Sequence, residues 1–156
     1  MINVYTNCKK FNVQRFIMPA FITFLVRFSL SVNVAVLGAV CTALLFFKNS
    51  DVVENAWGPD TTSREILLSV YISLFALSLI FFVLHVYEKD LALIEHMIYM
   101  LLLIQVLYKI CTPFTAGIAN PVVISNLVIS SIHLTTLICI SRHFIYYSVS
   151  HIHSSK

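Results

Sequence analysis

Long apolar runs separated by short polar segments are the main feature of this chain. The runs cover about residues 16–47, 66–87, 91–110 and 122–143. They do not alternate between apolar and polar residues at every second position, as the strands of a membrane barrel do. Helices are the other structure that satisfies every backbone group in lipid. The pattern therefore predicts four membrane-spanning helices.

The first run is too long for one span. Residues 16–47 would form a helix of roughly 48 Å at 1.5 Å per residue, against a hydrocarbon core of about 30 Å. Pro19 and Arg27 divide the run. We predict an N-terminal interfacial segment at residues 16–26 and a first span at residues 28–47. A single long tilted helix, kinked near Pro19, is the alternative.

The polar segments give the predicted connections. Residues 48–64 form the one sizeable loop, and residues 88–90 form a minimal turn. Thr62-x-x-Glu65 fits a capping box, so the second span should begin near Ser63. A short loop at residues 111–120 and a polar, aromatic tail at residues 144–156 complete the chain. The predicted fold class is all-α: a polytopic membrane protein, built as one four-transmembrane-helix bundle over residues 1–156.

Composition agrees with a membrane protein. The chain is 59% hydrophobic and 11% charged, with a mean hydropathy of +0.90. A soluble domain is near 45–50% apolar and 25% charged. The net charge of +3 is small and dispersed, so we expect no nucleic-acid partner. The four cysteines are scattered without a C-x-x-C motif, so we expect no metal site, no thiol-redox pair and no cofactor.

The distribution of Lys and Arg predicts the orientation. Positive residues are enriched in cytoplasmic loops, and seven of these residues fall on the side of the termini against three on the other side. Both termini are therefore expected in the cytoplasm, of what we take to be a bacterial inner membrane. The seven are Lys9, Lys10, Arg15, Arg27, Lys89, Arg142 and Lys156, and the three are Lys48, Arg64 and Lys109.

Small residues recur on one face of each of the first two spans. Such stripes let helix backbones approach closely in lipid, where no hydrophobic force drives association. Two interpretations are open: packing inside the bundle, or a contact between subunits of a homo-oligomer. The residues are Ser31, Ala35, Gly38 and Thr42 in the first span, and Ser69, Ser73 and Ala76 in the second.

The fourth span carries a polar stripe of Asn126, Ser130, His133 and Ser141. His133 falls near the middle of the membrane. A stripe of this kind faces other helices or a water-filled path rather than lipid. His133 is therefore predicted to be buried among helices, as a hydrogen-bonded side chain, as a pore-lining or proton-sensing group, or as a haem or metal ligand.

Ionisable residues also gather at the predicted cytoplasmic boundary. Glu95 lies inside that boundary, so its carboxylate needs a partner, and Arg27 or Arg142 is the natural one. The cluster could extend to water by snorkelling, form a docking or switching surface for a cytoplasmic partner, or hold a haem. Its members are Arg27, His85, Glu95, His96, Arg142 and His143.

The sequence contains no enzyme motif, so we expect no catalytic activity and name no catalytic residue. The expected function is a non-catalytic integral membrane subunit that oligomerises and anchors or signals to a cytoplasmic protein partner. A bacterial phage-defence or stress module is the class of system in which such a subunit would work. The alternatives are an ion channel lined by the fourth span, and a haem- or quinone-binding anchor of an electron-transfer complex.

Overall fold

A computed structural model of the chain describes residues 19–87 and 92–154. These residues form helices joined by short connections, with no strand in the described ranges. The helices are α1 (Ala20–Phe46), α2 (Asp51–Trp57), α3 (Thr62–Tyr87), α4 (Ala92–Ala116) and α5 (Pro121–Ser154).

Four of the helices are long and apolar enough to cross a membrane. Their candidate spans have 24 to 27 residues and mean hydropathies between 1.6 and 2.6. The shortest of them measures roughly 36 Å at 1.5 Å per residue, which exceeds the ~30 Å hydrocarbon core. The prediction of an all-α, multi-pass membrane protein with four spans is confirmed.

The four spanning helices form two closely packed pairs. α1 packs along α3, α4 packs along α5, and the α1–α5 contact joins the pairs, whereas α3 and α4 touch only sparsely. α2 caps the end of the bundle that we call the outer end, and the opposite end is the inner end. One apolar cluster, centred on Val26, Leu30 and Ile98, fills the inner part of the core. A second, with Leu37 and Tyr71, lies beneath α2.

α1 is continuous through the predicted boundary at Arg27. Pro19 precedes the first helical residue with φ −54° and ψ 141°, a place where a missing backbone N–H costs nothing. Residues 20–26 therefore belong to the same helix as the first span. For these residues, the prediction of a separate interfacial segment is wrong, and the alternative of a single long helix is correct. Residues 16–18 lie outside the described residues.

α2 is a helix that the sequence analysis assigned to an irregular loop. Ser50 caps it, with its hydroxyl oxygen accepting from the backbone N–H of Val53 at 3.4 Å. Gly58 ends it in the left-handed region at φ 80°. Val53 is buried, so one face of α2 closes the outer apolar cluster.

Arg64 holds the connection between α1 and α3. Its guanidinium is buried, and it donates to the backbone carbonyls of Gly58 and Lys48, each at 2.8 Å. It also lies 2.8 Å from the Asp60 carboxylate, which in turn lies 3.2 Å from Lys48 Nζ. The pKa of Asp60 is held below its ordinary value, chiefly by the hydrogen bond from Lys48 and further by Arg64. We call Arg64, Asp60 and Lys48 the outer clamp.

The third spanning helix continues past its predicted end at residue 110. α4 runs through Pro113 to Ala116 and ends at Gly117, which has φ 80°. Proline cannot donate to the carbonyl four residues earlier, that of Lys109. The Thr112 hydroxyl donates to this carbonyl instead, at 2.7 Å, so the helix survives the proline. The predicted loop at residues 111–120 is therefore wrong for residues 111–116.

α5 begins at an asparagine cap and is longer than predicted. The Asn120 side chain accepts from the N–H of Val122 at 2.8 Å and donates to the carbonyl of Ala56 at 3.0 Å, which ties α5 to α2. The helix continues to Ser154, so most of the predicted tail 144–156 is helical. Residues 155–156 lie outside the described residues.

Candidate functional site

Polar side chains from all four spanning helices meet in the middle of the bundle. Each has at most 2% of its surface exposed. They lie between the inner and outer apolar clusters. We call this set the central network: Ser29 and Asn33 of α1, Ser78 of α3, Gln105 and Lys109 of α4, and His133 of α5.

Asn33 is the residue that connects the network. Its amide nitrogen donates to the Ser78 hydroxyl at 2.6 Å. Its amide oxygen lies 3.4 Å from Lys109 Nζ and 3.4 Å from His133 Nε2. One side chain of α1 therefore contacts polar groups on α3, α4 and α5. Because an unmade hydrogen bond in the membrane interior is costly, these contacts favour one arrangement of the four helices.

His133 has both ring nitrogens engaged. Nδ1 lies 2.6 Å from the Ser29 hydroxyl, and Nε2 lies 3.4 Å from the Asn33 amide oxygen, which can only accept. A neutral ring protonated at Nε2 fits both contacts, with the serine donating to Nδ1. The prediction that His133 is buried among helices is confirmed, since it has no exposed surface.

Lys109 is the least compensated member of the network. Its ammonium donates to the Gln105 side-chain oxygen at 2.7 Å and to Asn33, and it lies 5.4 Å from the centre of the Tyr108 ring. Within the described residues, no carboxylate forms an ion pair with it. A buried cation that has only neutral acceptors is expensive in a membrane, and such residues mark functional sites by default.

Most of this network was not found in the sequence analysis. Lys109 was counted with the outer loops, although it is buried within α4. Its sequence signal is a spacing of four: Ser29 and Asn33, like Gln105 and Lys109, lie one turn apart on one helix face. Such polar pairs inside apolar runs indicate inward-facing positions.

The remaining members of the predicted polar stripe also face inward. Asn126 and Ser130 are buried, and neither the Asn126 amide nitrogen nor the Ser130 hydroxyl has a hydrogen-bond partner among the described residues. Ser141 is half-buried and its hydroxyl donates to the Tyr99 hydroxyl at 3.2 Å. The stripe thus faces the interior of the bundle along its whole length.

The two small-residue stripes point away from the core, contrary to the interpretation that they pack inside the bundle. Gly38 is half-buried against α3, since a Cβ at that position would lie 3.3 Å from the Phe75 ring. The contact between subunits, the second interpretation, stays a prediction. The exposed members are Ser31, Ala35 and Thr42 of α1, and Ser69, Ser73 and Ala76 of α3.

At the inner end, the predicted rim residues come together only in part. Arg27 donates to the backbone carbonyl of His85 at 3.4 Å. Glu95 is buried and Arg142 is exposed, and among the described residues Glu95 forms no ion pair with either arginine. The predicted Glu95–arginine pair is therefore wrong, because one guanidinium turns to a carbonyl and the other to the surface.

The two remaining rim histidines, His96 and His143, differ in exposure. His96 is exposed and stacks on Phe144, with ring centres 4.7 Å apart, while His143 is half-buried. Within the part of the chain that the structure describes, no group of three or more His, Cys, Asp or Glu side chains is arranged to hold a metal ion.

Comparison of the chain with protein-family models, with curated proteins and with solved structures found no match.

Proposed function

We propose that the protein is a non-catalytic membrane subunit that assembles with further copies of itself through the outward faces of α1 and α3. The observation that carries the proposal is the position of α3. It is the most apolar span, with a mean hydropathy of 2.6, yet only 11% of an apolar stretch of 18 residues is buried within one copy, against 33–44% for the other spans. Because so small a share of α3 is buried within one copy, most of its surface is available for contacts between copies.

The outward faces of these two helices suit close approach. Their hydroxyl groups donate to carbonyls one turn earlier: Ser69 to Glu65 at 3.1 Å, Ser73 to Ser69 at 2.9 Å, and Thr42 to Gly38 at 2.8 Å. These three hydroxyl groups therefore need no partner from outside the copy. Small residues at intervals of one turn then favour association by backbone proximity and van der Waals packing.

Topology and partner complete the proposal. We propose that both termini lie in the cytoplasm, that the membrane is a bacterial inner membrane, and that the inner end anchors or signals to a cytoplasmic protein. The burial of Arg64 and Lys109 supports this orientation. Of the three cations on the outer side, Lys48 is the exposed one, so the outer surface carries little positive charge. Service in a phage-defence or stress module remains a class-level proposal.

The channel and cofactor alternatives have less support. A path along α5 would need open space beside His133, but this side chain is closed off by Ser29 and Asn33 within one copy. A haem bound through His133 would need a free ring nitrogen, and both of its ring nitrogens are engaged. Neither alternative accounts for the outward small-residue faces.

The test is crosslinking of the protein in native membranes, compared between matched variants. Gly38→Leu is unsuitable because a side chain there would strike Phe75 of the same copy. Ala35→Leu and Ser73→Leu instead insert a branched chain at exposed positions of the two faces, and we expect both to remove dimers and larger species. Ser131→Leu, the same kind of change on the exposed face of α5, should leave them unchanged. If crosslinking of the wild-type protein yields no dimers or larger species, the proposal is contradicted.

A further inference from the structure

Two neighbouring cavities lie beneath α2, at the outer end of the bundle. Their volumes are about 290 Å³ and about 260 Å³, and five residues line both of them. Each cavity alone approaches the lower size limit of a small-molecule pocket, about 300 Å³. The shared residues are Ala56, Trp57, Tyr71, Val122 and Asn126.

Hydrogen-bond donors are concentrated at the walls of these cavities. Lys109 lines the second cavity and is 2% exposed, and two of its three ammonium protons are used by Gln105 and Asn33. Asn126 lines both cavities, is 9% exposed, and its amide nitrogen has no acceptor among the described residues. Unfilled donors beside an uncompensated cation are complementary to an anionic group.

The rest of the second cavity is apolar and reaches the outside of the bundle. Val36, Leu37 and Val40 of α1 form one wall. Val52, Pro121 and Ser125 also line it and are exposed on the outside of the bundle. A molecule could therefore place a polar head near Lys109 while its apolar tail leaves between helices into the bilayer.

We propose that the cavities beneath α2 bind a single-chain amphiphile with an anionic carboxylate or phosphate head, whose charge neutralises Lys109. The head accepts hydrogen bonds from Lys109 and Asn126, and the tail lies against the valines of α1. A fatty acid and a lysophospholipid share this chemistry. This site is independent of the proposed assembly through α1 and α3, whose small-residue faces lie on the other side of those helices.

Trp57 makes the proposal testable, because it is the one tryptophan of the chain and it lines both cavities. The protein is reconstituted in nanodiscs of neutral phosphatidylcholine and titrated with bromine-labelled dodecanoate, whose bromine quenches tryptophan fluorescence. Bromine-labelled dodecanol, with the same tail and no charge, serves as the control ligand. We expect saturable quenching by the acid at concentrations where the alcohol quenches only weakly. Unlabelled dodecyl phosphate or lysophosphatidic acid should compete, and the better competitor identifies the head group.

Two variants test the head-group contacts. Lys109→Met keeps the length of the side chain without its charge and should weaken dodecanoate binding by about tenfold or more, since a hydrogen bond to a charged group is lost. Asn126→Leu should weaken it by a smaller factor. Lys48→Met, which removes an exposed lysine at the same end, should leave the affinity unchanged.

Three results would overturn the proposal. If the acid and the alcohol quench Trp57 equally, the probe merely partitions into lipid. The same conclusion follows if the acid quenches wild type and Lys109→Met equally. Competition by chloride or inorganic phosphate as strong as that by dodecyl phosphate would mean that the cavity takes a free anion rather than an amphiphile.

Discussion

Arg64 in the outer clamp and Lys109 in the central network are both buried cations, with 5% and 2% of their surfaces exposed, but their surroundings are opposite. Arg64 has two backbone carbonyls and the Asp60 carboxylate within 2.8 Å. Lys109 has the side-chain oxygens of Gln105 and Asn33 and, among described residues, no carboxylate. One cation is neutralised within the chain, and the other has no neutralising carboxylate among the residues that the structure describes.

This difference separates a structural role from a functional one. A guanidinium that forms several hydrogen bonds with fixed acceptors holds together the segments that carry them. An ammonium with neutral partners does not offset its own desolvation, and stability alone gives no reason to keep it. The comparison predicts that removing Arg64 damages the fold, whereas removing Lys109 damages binding and leaves the fold almost unchanged.

The largest expected effect is that of Arg64→Gln. The shorter neutral side chain cannot reach the carbonyls of Gly58 and Lys48, so α2 loses its tie to the start of α3. We expect the free energy of unfolding in mixed micelles to fall by about 2–3 kcal/mol, below the range for a fully buried pair because Asp60 is partly exposed. Arg142→Gln, at an exposed arginine, should change it by less than about 0.5 kcal/mol. If both variants changed the free energy of unfolding equally, Arg64 would have no special structural role.

A smaller effect is expected for Lys109→Met. The variant removes a buried charge, which is favourable, and leaves the Gln105 oxygen without its donor, which is unfavourable. Because these terms oppose each other, we expect the unfolding free energy to change by no more than about 1 kcal/mol in either direction. His133→Leu, which removes a neutral hydrogen-bonded member of the same network, should cost about 0.6 kcal/mol. A loss for Lys109→Met as large as that for Arg64→Gln would show that Lys109 is a structural cation.

The number and approximate positions of the spans could be predicted from the sequence, whereas several of their ends could not. Apolar length is a local property that the bilayer thickness fixes, so all four spans were predicted. The end of α4 depends on a compensation between neighbours, in which the Thr112 hydroxyl satisfies the carbonyl that Pro113 leaves free. Proline alone indicates a helix end, so residues 111–116 were assigned to a loop.

The directions of the helix faces were harder to predict than the helices. Small residues on α1 suggested a packed face, but α1 turns the opposite face inward because Ser29 and Asn33 lie there. Placing those polar groups away from lipid outweighs the benefit of small-residue packing. The partners of Asn33 are 45, 76 and 100 positions away in the chain, so a spacing within one helix indicates which residues face inward but not which residues Asn33 contacts.

The smallest expected effect concerns pH and tests the outer clamp without altering either buried cation. The pKa of Asp60 is lowered from its ordinary value of 3.8 by the hydrogen bond from Lys48 and by Arg64. A carboxyl group whose folded pKa is depressed stabilises the fold above its ordinary pKa, and the contribution is lost as pH falls through the folded value. The thermal midpoint of wild type minus that of Asp60→Asn should therefore stay constant from about pH 7 to about pH 5 and shrink below about pH 4. The subtraction cancels the titration of the other acids.

Because Asp60 is partly exposed, the difference between the two thermal midpoints should be small and should decrease further at high salt. A difference that changes between about pH 7 and about pH 5 would mean that another group, and not the Asp60 carboxylate, controls the clamp.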